Sequence, residues 1–152
     1  MTRLDFIKIA SEKLKLIRIE SGYTQDKMAE IMGISKKTLV QIEKDRSTLG
    51  WAGAVTLCTI FSNSEVLEMT FGGEPQDIIL SLAFTDYERN KKTLGGKVWW
   101  TNIKLMDEFR IQQNIISKHY RILDGQDRRI CSSFNYEHIK KRLQELSDDG
   151  GG

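Results

Sequence analysis

Proline occurs once in the 152 residues, cysteine and histidine twice each, and the formal net charge is only +2. The two cysteines, Cys58 and Cys131, stand far apart in apolar surroundings. A disulfide framework needs more of them at short spacing, and a zinc site needs a close pair with histidines. His119 and His138 supply no such spacing, so buried thiols are expected, with no metal and no cofactor. The longest largely apolar stretch, Trp51–Phe61, is too short for a bilayer, which takes about 20 residues. Met1–Ala10 carries Asp5 and Lys8 and has no apolar run of the signal-peptide kind. These features predict a cytoplasmic protein. Gly95–Gly96–Lys97 lacks the preceding glycine and following Ser/Thr of a phosphate-binding loop. No spacing pairs Cys131 with His119 or His138 as thiol and base, and no enzyme is expected.

What remains is ordinary globular composition, 39% apolar and 29% charged, long enough for one domain or two small ones. Charge so nearly balanced neither favours nor excludes a nucleic-acid partner, because a basic face can be offset by acids elsewhere.

Helical rhythm fills the first half. Phe6, Ile9, Ala10, Leu14 and Ile17 recur at intervals of three and four behind a Thr2/Asp5 capping pair. Ser21–Gly22 stops that helix. Thr24 caps Gln25–Met32, Gly33 ends it, and Ser35 caps Lys36–Lys44. Leu49–Phe61 reads as a core helix and Glu65–Phe71 as a short fifth one before Gly72–Gly73. Pro75 then precedes a helix over Ile78–Phe84.

Residues 16–46 carry the chemistry. Two short capped helices are joined by a tight turn at Gly33, with Ala29 small where they approach each other. Ile31, Ile34, Leu39 and Ile42 are placed to close a shared core. Lys36, Lys37, Val40, Gln41 and Lys44 are left on the outer face of the second helix. A helix fits the DNA major groove. Lysines there can reach guanine acceptors or phosphates, and a glutamine can pair bidentately with adenine. The N–H groups behind the Thr24 and Ser35 caps can each meet a phosphate.

Arg18, Tyr23-Thr24-Gln25, Ala29, Gly33-Ile34-Ser35, Thr38-Leu39 and Ile42-Glu43, at this spacing, resemble the helix-turn-helix of the Cro/phage-repressor (Xre) family over about Leu4–Phe71. The resemblance implies an all-α, five-helix, lambda-repressor-like domain. It implies that Gln25 contacts the DNA backbone and helps order a base-reading side chain, that Lys36, Lys37 and Gln41 read bases, and that Arg18 and Glu43 form a structural ion pair. Together with the groove argument, the expected DNA-contacting set is Thr24, Gln25, Ser35, Lys36, Lys37, Thr38, Gln41, Lys44 and Arg46. The pattern departs at Lys44–Asp45, where the family has Asn-Gly or a similar glycine, and a loop of different shape is expected there.

After the second Gly-Gly the pattern changes. Trp99, Ile103 and Met106 keep helical spacing, predicting a helix over Lys97–Asp107. Phe109–Ile115, Tyr120–Ile122 and Ile130–Phe134 alternate as strands, with a hairpin signal at Asp124–Gly125. Asn135 caps a final helix, Tyr136–Leu146. Lys118, Arg121, Arg128 and Arg129 flank the hairpin. They can meet phosphate, although a solvated face with cross-strand charge pairs is the ordinary expectation. Trp99–Trp100 reads as core or interface.

The expected organisation is a helix-turn-helix domain at 1–73, a helical connector at 74–96, a small α+β domain at 97–146 and a disordered tail at 147–152. The expected function is a dimeric transcriptional repressor reading a pseudo-palindromic site on double-stranded DNA. Two alternatives give the second domain another role: an antitoxin or anti-repressor that binds a protein partner, or a regulator that answers to a small effector. No membrane partner is expected.

Overall fold

Thr2 opens the first helix through a reciprocal cap. Its hydroxyl accepts from the Asp5 N–H at 3.1 Å, and the Asp5 carboxylate accepts from the Thr2 N–H at 2.9 Å. The bonds from Thr2 hold the Asp5 carboxyl below the usual carboxylate range. From this cap the computed structural model describes residues 1–84, 87–93, 95 and 98–150, with the backbone alone at 87–92 and 150. The chain divides into two units, Met1–Gln76 and Asp77–Gly152.

In the first unit, α1 (Arg3–Ser21) is followed by α2 (Gln25–Met32), α3 (Lys36–Glu43), α4 (Gly50–Ile60) and α5 (Glu65–Phe71). The α1 face of Phe6, Ala10, Leu14 and Ile17 is buried and packs on α3, α4 and α5. Met28, Leu39, Ile42, Leu57, Leu67 and Phe71 complete the core. Each such side chain taken out of water contributes about 1.5–3 kcal/mol, so packing rather than helix propensity holds helices of only eight residues. Ser11 joins two helices across the unit. Its hydroxyl accepts from the Leu49 N–H at 2.9 Å and donates to the Ile7 carbonyl at 2.6 Å, fixing the entry to α4.

Three successive helices stop in the same way. Beyond α1, α2 and α3 one residue turns left-handed, and its N–H and that of the following residue bond back to carbonyls of the last turn: Gly22 and Tyr23 to Ile19 and Arg18, Gly33 and Ile34 to Glu30 and Ala29, Asp45 and Arg46 to Ile42 and Gln41. The loop expected to differ at Lys44–Asp45 keeps this shape, because Asp45 itself takes φ 59°. Asp is among the few side chains tolerated in that region.

The second unit holds α6 (Gln76–Ala83, its first residue in the first unit), a five-stranded antiparallel sheet and α7 (Tyr136–Gly150). The strands β1 (Tyr87–Lys92), β2 (Trp100–Met106), β3 (Phe109–Asn114), β4 (Tyr120–Leu123) and β5 (Arg128–Ser133) lie in the order β1-β5-β4-β3-β2. Ile111, Ile122 and Cys131 stand opposite one another across three strands. With Phe109 they meet Ile139 and Leu143 of α7 in an apolar core. The architecture is an all-α domain followed by a small α+β one.

Several expectations are corrected here. The segment 97–107 is not a helix where it is described; 100–106 is strand β2. Its i, i+4, i+7 spacing is accidental, since β2 is an edge strand exposed from Thr101 to Leu105 and a register shift between Asn102 and Lys104 breaks the period of two. The span 74–96 is more than a helical connector, because it also supplies β1. The Asp124–Gly125 signal marks a four-residue connection, with Asp127 rather than Gly125 left-handed. Asp124 organises it by accepting from the N–H groups of Gln126 and Arg128, both at 2.9 Å. At the far end, α7 continues through the expected tail to Gly150, where Ser147 donates to Asp107. Gly96, Lys97, Gly151 and Gly152, on which parts of these expectations fell, lie outside the described residues. Cys58 and Cys131 are both buried and form no disulfide. No described helix is long and apolar enough to cross a membrane.

Candidate nucleic-acid interface

Helix α3 is anchored from behind. Leu39 and Ile42 are 0% and 2% exposed, while Lys36, Lys37, Thr38 and Lys44 are exposed and Gln41 is half-buried. The side chains nominated for the groove therefore share the outer surface of a helix whose inner surface is fixed in the core. Ser35 caps it by accepting from the Thr38 N–H at 3.1 Å, and its own hydroxyl lies 2.9 Å from that of Thr38. Thr24 caps α2 in the same manner, accepting from the Lys27 N–H at 3.1 Å.

A second anchor is ionic. Arg18 of α1 donates to Glu43, the last residue of α3, through Nη2 at 2.7 Å and Nε at 3.1 Å, and to the Tyr23 carbonyl at 3.1 Å. The Arg18 and Glu43 side chains are 15% and 4% exposed, so the pair is shielded. Gln25 reaches the same carboxylate, its Nε2 3.4 Å from Oε2. The first residue of α2 is thereby tied to the last of α3, fixing the mutual position of the two helices.

The electrostatics of α3 run against its own stability. Its first turn holds Lys36 and Lys37 and no acid, although a helix N-terminus disfavours cations by about 0.3–1 kcal/mol each. Two lysines there are unfavourable in isolation and favourable beside a polyanion. Asp26 of α2, 3.2 Å from the Lys36 ammonium, offsets part of that charge. The sequence pattern did not single out Asp26; only the approach of the two helices brings it to the interface. Arg46 is exposed beyond the left-handed turn at Asp45.

The basic residues of the second unit do not form the solvated face expected of them. Lys118 and Arg128 are exposed, but Arg121 and Arg129 are 5% and 2% exposed. Arg129 pairs with Asp77 of α6, and Arg128 with Asp124. Trp100 is half-buried with the Arg121 guanidinium stacked 3.8 Å from its ring centre. His119, at 2% exposure, sits edge-on to Trp100 at 4.8 Å and contacts Ser117 through Nδ1. Burial, with the nearby Arg121 charge, pushes its pKa down to about 3. A neutral, enclosed imidazole of this kind is a packing group rather than a base.

Comparison with known proteins agrees with the geometry. Residues 11–68 match a family model described as a helix-turn-helix domain. Over 84 residues, 49% of this chain, the sequence is 30% identical to a candidate HTH-type transcriptional regulatory protein of Pyrococcus horikoshii. The chain spans 27% of that protein's length. No solved structure matches. Five packed helices, a tight glycine turn between α2 and α3 and the family match agree in giving residues 11–68 the form of a helix-turn-helix domain.

Proposed function

We propose that the protein is a transcriptional regulator that binds double-stranded DNA by seating α3 in the major groove. The observation carrying this is the division of α3 itself: Leu39, Ile42 and Glu43 are locked inward while Lys36, Lys37, Gln41 and Lys44 face outward. Lys36, Lys37 and Gln41 meet base edges. Thr24, Gln25, Ser35, Thr38, Lys44 and Arg46 position the backbone, with the free N–H groups at the starts of α2 and α3 directed at phosphates.

One such helix reads about half a site, and a two-fold dimer presents two, roughly one DNA turn apart. A homodimer on a pseudo-palindromic operator, repressing by excluding polymerase, is the simplest assembly. The open edge of the second unit supports a self-associating role. β2 ends the sheet and exposes Ile103 and Leu105 at 43% and 70%, and unpaired apolar edges of this kind invite another strand.

The test is selection of bound duplexes from a random pool, then titration of the selected site against random DNA. Gln41→Ala should weaken the cognate site by about 1–3 kcal/mol and relax preference at one position. Lys44→Ala should weaken both duplexes alike and lower the salt slope by about one. Equal effects of both substitutions on cognate and random DNA would refute the assigned face.

A further inference from the structure

We propose that the second unit binds a small oxyanion, a carboxylate or a phosphate group of a soluble ligand, on the sheet face opposite α7, with the Arg121 guanidinium as its anchor.

The face is built from one row of side chains. Asn102 stands opposite Gln112, Gln112 opposite Arg121, and Arg121 opposite Ser132, so the row crosses β2, β3, β4 and β5. The neighbouring row on the other face, Ile111, Ile122 and Cys131, is the apolar one under α7. Alternation along the strands therefore puts the polar row on the side α7 does not cover. Yet only Asn102, on the edge strand, is exposed: Gln112, Arg121 and Ser132 are 2%, 5% and 1% exposed.

Arg121 is the anomaly. Its neighbours on the sheet each have a carboxylate: Arg110 has Asp127, Arg128 has Asp124 and Arg129 has Asp77. Among the described residues no carboxylate bonds to Arg121; Asp127, the partner of Arg110, acts on it only as a nearby charge. Arg121 Nε donates to Gln112 Oε1 at 2.9 Å, and one flat side covers Trp100. That accounts for one of five N–H groups and leaves the Nη edge, the part that fits an oxyanion in two-pronged fashion, with no described acceptor. Burial, then the neighbouring Arg110 charge, pulls its pKa down to about 10 while Asp127 opposes the shift, so two guanidiniums share the charge of one carboxylate. Beside it the Ser132 hydroxyl, also buried, meets no described partner.

The anchor is held in place before any ligand arrives. Gln112 Nε2 donates to the Gly95 carbonyl at 2.9 Å and to Asn102 Oδ1 at 3.0 Å, which fixes the oxygen that orients Arg121. Trp100 limits the guanidinium plane from one side. A group fixed on two sides, buried and lacking a carboxylate bonded to it has the requirements of an anion site: preorganised donors and a charge with no ion pair of its own.

The experiment uses the full chain without DNA, so it stands or falls separately from the regulator proposal. Sodium chloride is replaced by sodium phosphate or sodium acetate at constant ionic strength, and tryptophan fluorescence and thermal melting are followed. Phosphate, acetate or both should give a saturable change that chloride does not, the responding anion naming the ligand group. Arg121→Met should weaken that response by about 10- to 100-fold, as expected for loss of charge-assisted bonds, and Lys118→Ala should leave it intact. If Arg121→Met fails to fold, Ser132→Ala takes its place and should weaken the response by a smaller factor. No saturable change with either anion, or an unaltered response in the substituted chain, overturns the site.

Discussion

Replacing Glu43 by glutamine removes one charge from the Arg18–Glu43 pair while keeping nearly the same volume. Loss of one partner from a buried pair leaves the other dehydrated and unpaired, a penalty of about 3–5 kcal/mol. Arg18 is 15% exposed and keeps its bond to the Tyr23 carbonyl, so water recovers part of this and the expected loss is about 2–3 kcal/mol. Urea unfolding followed by far-ultraviolet circular dichroism measures it. With a slope of about 1 kcal/mol per molar for a unit of this size, the midpoint of the helical unit should fall by about 2 M. Pairing is separated from packing by a double-mutant cycle. Arg18→Met with Glu43→Met should be less destabilised than Arg18→Met alone, because no stranded charge remains. A loss below about 0.5 kcal/mol for Glu43→Gln, or a cycle with no coupling, would refute the assignment of this pair as the clamp between α1 and α3.

At Asp45, glycine should stabilise by about 0.5 kcal/mol, its easier left-handed turn partly offset by a freer unfolded chain, and valine should cost about 1–2 kcal/mol; equal melting of all three chains would contradict the φ assigned to that turn. His119 stays neutral in the fold down to about pH 3, whereas the unfolded chain takes up a proton below about pH 6.5. Its contribution is therefore complete above pH 6.5 and lost as pH falls from there toward 3, at about 1.4 kcal/mol per unit. The second unit should weaken by about 2 kcal/mol between pH 6.5 and 5, and a His119→Phe chain with the same slope would sink this account. Burial pushes the Cys58 thiol up to about 12 and leaves Cys131 with no exposed surface. A colorimetric thiol reagent at pH 8 should accordingly modify neither cysteine until urea is added, and rapid reaction of either in native buffer would show the cores to be open.

The first unit was legible because its signals are local and agree with one another. Thr2, Thr24, Ser35 and Gly33 act on their own helices, and the apolar spacing of Phe6, Leu14 and Ile17 needs only one face to be buried. The candidate interface was legible for the same reason. Lys36, Lys37 and Gln41 share a face by helical geometry alone, whatever else the chain does. What the sequence hid there depends on approach between elements: Asp26 beside Lys36, and Gln25 meeting the carboxylate that already holds Arg18. Asp45 misled in the opposite direction. Its residue type suggested a changed loop, but the two backbone bonds from Asp45 and Arg46 hold the left-handed turn without glycine.

The second unit resisted because polar residues at alternate positions have two physical meanings that a sequence does not separate. In β3 and β4 the series Ile111-Gln112 and Arg121-Ile122 reads as one buried and one solvated face. Here both faces are out of water, and only the register, Gln112 beside Arg121 beside Ser132, brings the polar ones together. An arginine buried without a carboxylate weakens a fold relative to an apolar residue of similar size. The same sheet pairs Arg110, Arg128 and Arg129 with acids, so counter-ions are accessible to this architecture at neighbouring positions. Stability therefore does not explain Arg121 unpaired on Trp100. A ligand whose oxyanion supplies the missing charge does, and it would stabilise the unit in proportion to its own binding.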